Sequence, residues 1–126
     1  MSISVVIVGA GLSGLLTAYR LQELGFNVMV LEARDRIGGR IHTIQSGKAK
    51  VEMGATWFNE GHYHLLDVIE EFKVPYFEQF MTGISYFQTF SNVPPQEIAV
   101  PNDSPSYRFK NGTIHLLNAI NTKLKP

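Results

Sequence analysis

The chain of 126 residues contains no cysteine, which excludes disulfides, thiolate metal sites, a nucleophilic thiol and any covalent cysteine link to a cofactor within it. It also lacks an excess of either charge. Lys plus Arg and Asp plus Glu are both 11, so no overall field draws nucleic acid or an anionic membrane surface, and neither is expected as a partner. Long apolar runs are missing too: no segment approaches the ~18 apolar residues of a spanning helix. The first strand begins almost at once, leaving no room for the basic region and apolar core of a secretory signal. A cytoplasmic location is expected from this. Histidine is sparse. His62 and His64 lie near Glu60, but positions i and i+2 of a helix point to different faces and no third ligand is evident, so no metal site is expected. His42 and His115 are isolated, no Ser, His and Asp constellation is identifiable, and no catalytic residue is assigned. The length allows one domain with a real core, yet is small for a complete dehydrogenase or other large redox enzyme.

What the chain does have is glycine in a telling place. Val5 to Val8 is a short β-branched run that reads as a buried strand, and Leu12 to Leu24 places Leu12, Leu15, Leu16, Tyr19 and Leu24 at helical spacing. The GAGLSG string therefore sits at a strand-to-helix turn. Gly9 allows the tight turn, Gly11 lets backbone approach a pyrophosphate, and Gly14 lets the helix pack closely on the strand. Leu12 and Ser13 belong to the same phosphate turn, with the N–H of Ser13 pointing at the ligand. The helix N-terminus adds free N–H groups and a partial positive charge. A second strand, Asn27 to Leu31, ends in Glu32, where the fingerprint expects an acid that accepts hydrogen bonds from ribose hydroxyls and repels a 2′-phosphate, disfavouring NADP.

Beyond Arg40, residues 41–52 read as two short strands turning near Ser46, Gly47 and Lys48. Residues 61–72 form an amphipathic helix with Leu65, Leu66, Ile69 and Phe72 on one face, and Pro75 marks its end. Tyr76 to Phe90 is rich in aromatic residues and reads as a pair of half-buried strands. Pro94, Pro95, Pro101 and Pro105 then predict a loop or edge excursion. From about Thr113 to Leu124, Leu116, Ile120 and Leu124 predict a last helix, although Asn111 and Gly112 could instead turn a hairpin. Residues 111–113 match a glycosylation sequon, against which the lack of a secretory signal argues.

Three ordered blocks, GAGLSGL, LEARDRIGGR and VEMGATWF, resemble the N-terminal FAD-binding part of the flavin-containing amine oxidases, the monoamine, polyamine and L-amino-acid oxidase group; phytoene-type desaturases and protoporphyrinogen oxidases look similar here. The resemblance runs from about Ile3 to Phe58. It implies FAD as cofactor and an incomplete Rossmann-like α/β fold, a parallel sheet with flanking helices plus a short β-rich piece from the substrate side. On this reading residues 1–75 form the FAD-binding portion, 76–105 an aromatic and Pro-rich remnant of a substrate domain, and 106–126 the return to the FAD domain.

The same resemblance brings Arg34 near the adenosine end, with Ala33 beside Glu32 also counted as cofactor-binding; Gly38 and Gly39 can bring backbone near the pyrophosphate and flavin side, and Arg40 supplies a donor fork for phosphate. By the resemblance Gly54, Ala55, Thr56 and Trp57 run beside the isoalloxazine ring, and Met53, from the same block, is counted as cofactor-binding with them. Arg36 reads as a solvated cation. A fourth block, Ser106 to Ile120, departs from the family's glycine pair at Asn111 and Gly112, and no flavin contact is assigned to it. The implied chemistry is hydride transfer from an amine-bearing carbon to flavin N5, with an amine substrate only in a full-length context. The chain reads as an N-terminal fragment or truncated product, inactive alone, that pairs with itself or with a complementing fragment. A flavin- or nucleotide-binding chain without turnover is the second reading.

Overall fold

The computed structural model describes residues 4–99 and 104–125; Pro101, one of the four prolines of the predicted excursion, lies outside them. Strand β1 (Ser4–Val8) and strand β2 (Asn27–Leu31) pair in parallel with Val6 opposite Met29, and helix α1 (Leu12–Glu23) crosses between them. Alternation sets the two faces of this sheet: Val5, Ile7, Val28 and Val30 are half-buried, whereas Val6, Val8, Met29 and Leu31 are exposed. Leu24, read from its spacing as part of the apolar face, is exposed as the C-cap. After it Gly25 (φ 86°) closes the helix, its N–H bonding to Gln22 O and that of Phe26 to Leu21 O, a paired arrangement that satisfies the last carbonyls.

Strands β3 (Thr43–Ser46) and β4 (Ala49–Glu52) form a hairpin through Gly47 and Lys48, where Gly47 takes the positive φ that a two-residue turn requires. Strand β5 (Phe58–Asn59) leads to helix α2 (Tyr63–Glu71), whose end repeats the closing geometry with Lys73 at φ 51° instead of a glycine: Lys73 N–H donates to Glu70 O and Val74 N–H to Ile69 O. Thus the helix ends before Pro75.

The aromatic stretch requires a correction. It does hold two strands, β6 (Tyr76–Glu78) and β7 (Ser85–Phe87), but they do not pair with each other and are exposed instead of half-buried, with Phe80 between them 87% accessible. Strand β7 pairs with β8 (Gln96–Ile98), within the predicted excursion. Strand β6 pairs with β9 (Ser106–Phe109), which also takes β5 on its other edge, and sequence spacing did not single out β9. Phe58, Tyr76, Tyr107 and Phe109 stack around that sheet with ring centroids 5.0–5.6 Å apart.

The last helix, α3 (Ile114–Asn121), buries Leu116, Leu117 and Ile120 completely against Leu15, Ile41, Phe58 and Ile69, so the core lies between α1, α2, α3 and the β9 sheet. Thr113 lends α3 no side-chain cap. The hairpin supplies one from a distance: Glu52 accepts from the Thr113 N–H (2.8 Å) and the Thr43 hydroxyl (2.8 Å), and Thr43 Oγ1 accepts from the Ile114 N–H (3.1 Å). A Cβ on Gly112 (φ 80°) would stand 2.5 Å from Thr43 Cγ2, so any other residue there is strained and must displace the Thr43 side chain that holds the cap.

Candidate dinucleotide cleft

The first two sequence blocks meet through their backbones. Gly38 N–H donates to Ala10 O (2.8 Å), Gly11 and Gly38 form a parallel bridge, and Gly9 N–H donates to Leu31 O (2.6 Å). The result is a cavity of about 540 Å³ at the C-terminal ends of β1 and β2, where ligands of α/β sheets bind. Gly9, Gly11, Leu12, Ser13 and Gly14 form one wall, and Gly38, Gly39, Arg40, Arg34 and Ala55 line the rest with Val8 and Ile41. A second hollow of about 470 Å³ shares Gly39, Arg40 and Ala55 with the first and adds Met53, Gly54, Arg36 and His42. Ten of the sixteen candidate residues thus line the first cavity, and Met53 and Gly54 line the second.

The remaining candidates stand apart from both linings. Glu32 holds the glycine turn: Oε2 accepts from the Ala10 N–H (2.8 Å) and Oε1 from the Arg34 N–H (3.0 Å). Those backbone donors, the Ala10 N–H foremost and then that of Arg34, hold its carboxyl below the usual range. Each oxygen keeps a further lone pair able to accept a hydrogen bond. Ala33 is exposed beside it, Thr56 donates its hydroxyl to Gly54 O (2.9 Å), and Trp57 is 69% accessible. Because the folded-state pKa of Glu32 is depressed, its contribution to stability is complete above the carboxylate's unfolded value and is lost as pH falls through the depressed one. A Glu32→Gln chain is therefore expected to show a shallower acid limb in a plot of stability against pH, measured by urea melts. An unchanged limb would remove Glu32 from the turn's electrostatics.

Arg36 is a second correction. It is half-buried, not solvated, and its guanidinium donates to the carbonyls of Ile37 (3.2 Å), Gly39 (3.1 Å) and Ile41 (3.3 Å), pinning the Gly38–Gly39 turn from behind. Nothing in the charge pattern distinguished it from Arg34 and Arg40, because its acceptors are backbone atoms. Val8, Ile41 and His42 were likewise not singled out as lining residues.

The residues present fit a dinucleotide on physical grounds. The first turn of α1 has no side-chain cap and no acidic residue, and the N–H groups of Ser13 and Gly14 have no partner among the described residues. Gly9 (φ 104°) has no atom within 4 Å of where a Cβ would stand, which leaves its approach to the cleft open. Arg34 and Arg40 expose cations at the rim, and neither forms an ion pair within 4 Å among the described residues.

Fold and cleft define a dinucleotide-binding α/β protein. Residues 12–106 match the family of flavin containing amine oxidoreductases, and the chain belongs to it; FAD is the cofactor that this membership assigns to the fold. It is 55% identical over 56 residues to probable polyamine oxidase 4 of Arabidopsis thaliana, covering 44% of this chain and 11% of that protein. Against the flavin-containing amine oxidase B of Bos taurus it is 44% identical over 68 residues, covering 53% of this chain and 13% of that protein. A putrescine oxidase structure with bound putrescine superposes with a TM-score of 0.69 at 34% identity, covering 79% of this chain and 22% of that one. The chain therefore spans a small part of the relatives it matches. No helix among the described residues is long and apolar enough to cross a membrane.

Proposed function

We propose that this chain is the FAD-holding portion of an amine oxidase-like flavoprotein, with residues 1–75 as the binding unit, 76–105 as the substrate-side excursion and 106–126 as the return to it. The observation that carries this reading is the meeting of Gly11 with Gly38, which joins the phosphate turn to a second glycine pair and its arginine; a single-nucleotide site has no need of that pair. In it, the α1 N-terminus and Arg40 hold the pyrophosphate, Glu32 takes the ribose hydroxyls while Ala33 and Arg34 flank the adenosine, and Met53 to Trp57 pass beside the ring. Bound FAD would supply the hydride acceptor for oxidation of a C–N bond. The chain's own share is to bind and orient: Arg36 fixes the turn that aims Gly39 and Arg40, and Gly54 lets the strip approach closely. The substrate is a small amine in a full-length context.

The test is the absorption spectrum of the purified protein, followed by chromatography of the released cofactor. A flavin spectrum and FAD are expected; NADP in its place would overturn the reading. Glu32→Ala and Arg40→Ala should each weaken FAD binding by roughly 1–3 kcal/mol, through unpaired ribose hydroxyls and a lost charged donor. Equal flavin retention in parent and both variants would remove the second block from the site.

A further inference from the structure

A third cavity, of about 330 Å³, lies away from the dinucleotide cleft, between the β3–β4 hairpin and the end of β9. Its walls carry Lys48, Lys50, Arg108 and Lys110 against one carboxylate, Glu52. In a chain with 11 cations balanced by 11 acids, four cations on one small concave surface is a strong local asymmetry. The fold produces it: Lys48 in the hairpin turn and Lys50 on β4 line the same hollow as Arg108 on β9 and Lys110 in the turn that follows it.

No acid among the described residues pairs with these cations. The two ion pairs among the described residues both belong to Arg20 and lie elsewhere, so none of the four has a carboxylate partner. Lys50 Nζ donates to Asn111 O (2.9 Å), which fixes its head at the cavity, and the side chains of Lys48, Arg108 and Lys110 have no hydrogen-bond partner among the described residues. Glu52, in contrast, is fully engaged in capping α3. Holding uncompensated like charges together raises the energy of the free protein, a cost that an anion removes.

The geometry points to this cavity as a second binding site, for a small ligand bearing a diphosphate group. Four cations facing one acid match a ligand with about three negative charges, and Arg108 offers the planar fork suited to phosphoryl oxygens while the lysines act as point charges around it. A nucleic-acid strand would need a basic stripe along a surface. Here the cations converge on a hollow. Phe77 lies directly across from Arg108 on β6 and forms part of the wall, giving an apolar surface for the group that carries the phosphates.

Inorganic diphosphate is the probe, titrated by calorimetry into the protein with and without saturating FAD, because the first cleft also suits phosphate. Binding that persists with FAD present is expected. The double variant Arg108→Gln, Lys110→Gln should weaken that binding by at least about tenfold, with an unchanged circular dichroism spectrum as the check on folding. Arg40→Gln, which acts on the first cleft, should leave it within about twofold; this keeps the outcome readable even if the chain holds no FAD. Binding that disappears with FAD or with Arg40→Gln, or that survives the double variant intact, would overturn the second site, as would no heat of binding in any arm.

Discussion

Gly54→Ala and Gly14→Ala should each destabilise the chain by about 3 kcal/mol or more, a large share of the 5–15 kcal/mol typical of a domain. A Cβ on Gly54 would stand 1.9 Å from Arg40 O and 3.1 Å from Arg40 C, and one on Gly14 would stand 2.0 Å from Gly9 O and 3.2 Å from Gly9 C. These are backbone atoms, which cannot turn aside as a side chain does. Arg40 O also accepts from the Ala55 N–H (3.2 Å), and the Gly9 N–H is bonded to Leu31 O (2.6 Å), so relief at either point pulls apart a bond that shapes the cleft. Urea denaturation measures the loss, and flavin retention should fall with it. Gly25→Ala is the control: its Cβ meets nothing within 4 Å and only the positive φ of 86° opposes it, so the loss should be near 1 kcal/mol. Equal midpoints for all three variants would show that the close approaches at Gly14 and Gly54 do not hold the fold.

Those glycines also explain what could be read from the sequence. From Ser4 to Leu31 each element is specified locally, by a β-branched run, a glycine turn, an apolar helical stripe and a second short strand, so element type, order and nearly every boundary were legible. The cleft was legible for the same reason, since its walls are contiguous strings. Other features depended on partners distant in the chain. Strand β9 is a strand because Phe58 and Tyr76 lie on either side of it, and neither is near it in sequence. Glu52 reads as an ordinary hairpin acid until α3 is placed with the Thr113 N–H at its entrance 2.8 Å away. Arg36 differs from its neighbours only in which carbonyls it reaches. The aromatic run misled in the opposite sense: composition suggested burial, but burial needs an opposing layer, and β7 and β8 have only each other.

The exposed face of the parallel sheet carries the second large effect. Val6, Val8, Met29 and Leu31 point away from α1, Val8 being 86% accessible, and no third strand among the described residues pairs with either outer edge of β1 or β2. A contiguous β-branched and aliphatic surface beside two open edges is driven to associate by apolar burial and by unpaired N–H and C=O groups together. The chain is therefore expected to be a dimer or larger at micromolar concentration by light scattering, or to take up a complementing polypeptide. The paired change Val6→Lys, Met29→Lys should shift it to monomer, because these two residues are directly opposite in register and like charges on that face oppose any docked apolar layer. The same openness governs chemistry. Met53 to Trp57 form one exposed strip beside the cleft, and no described element faces it to exclude water or to hold an amine at a fixed distance from a flavin. With FAD added, amine-dependent peroxide formation should stay at the background level of free flavin. A monomeric chain that oxidises amines well above that background would overturn both expectations, since it would need neither a cover for the sheet nor a second wall for the ring.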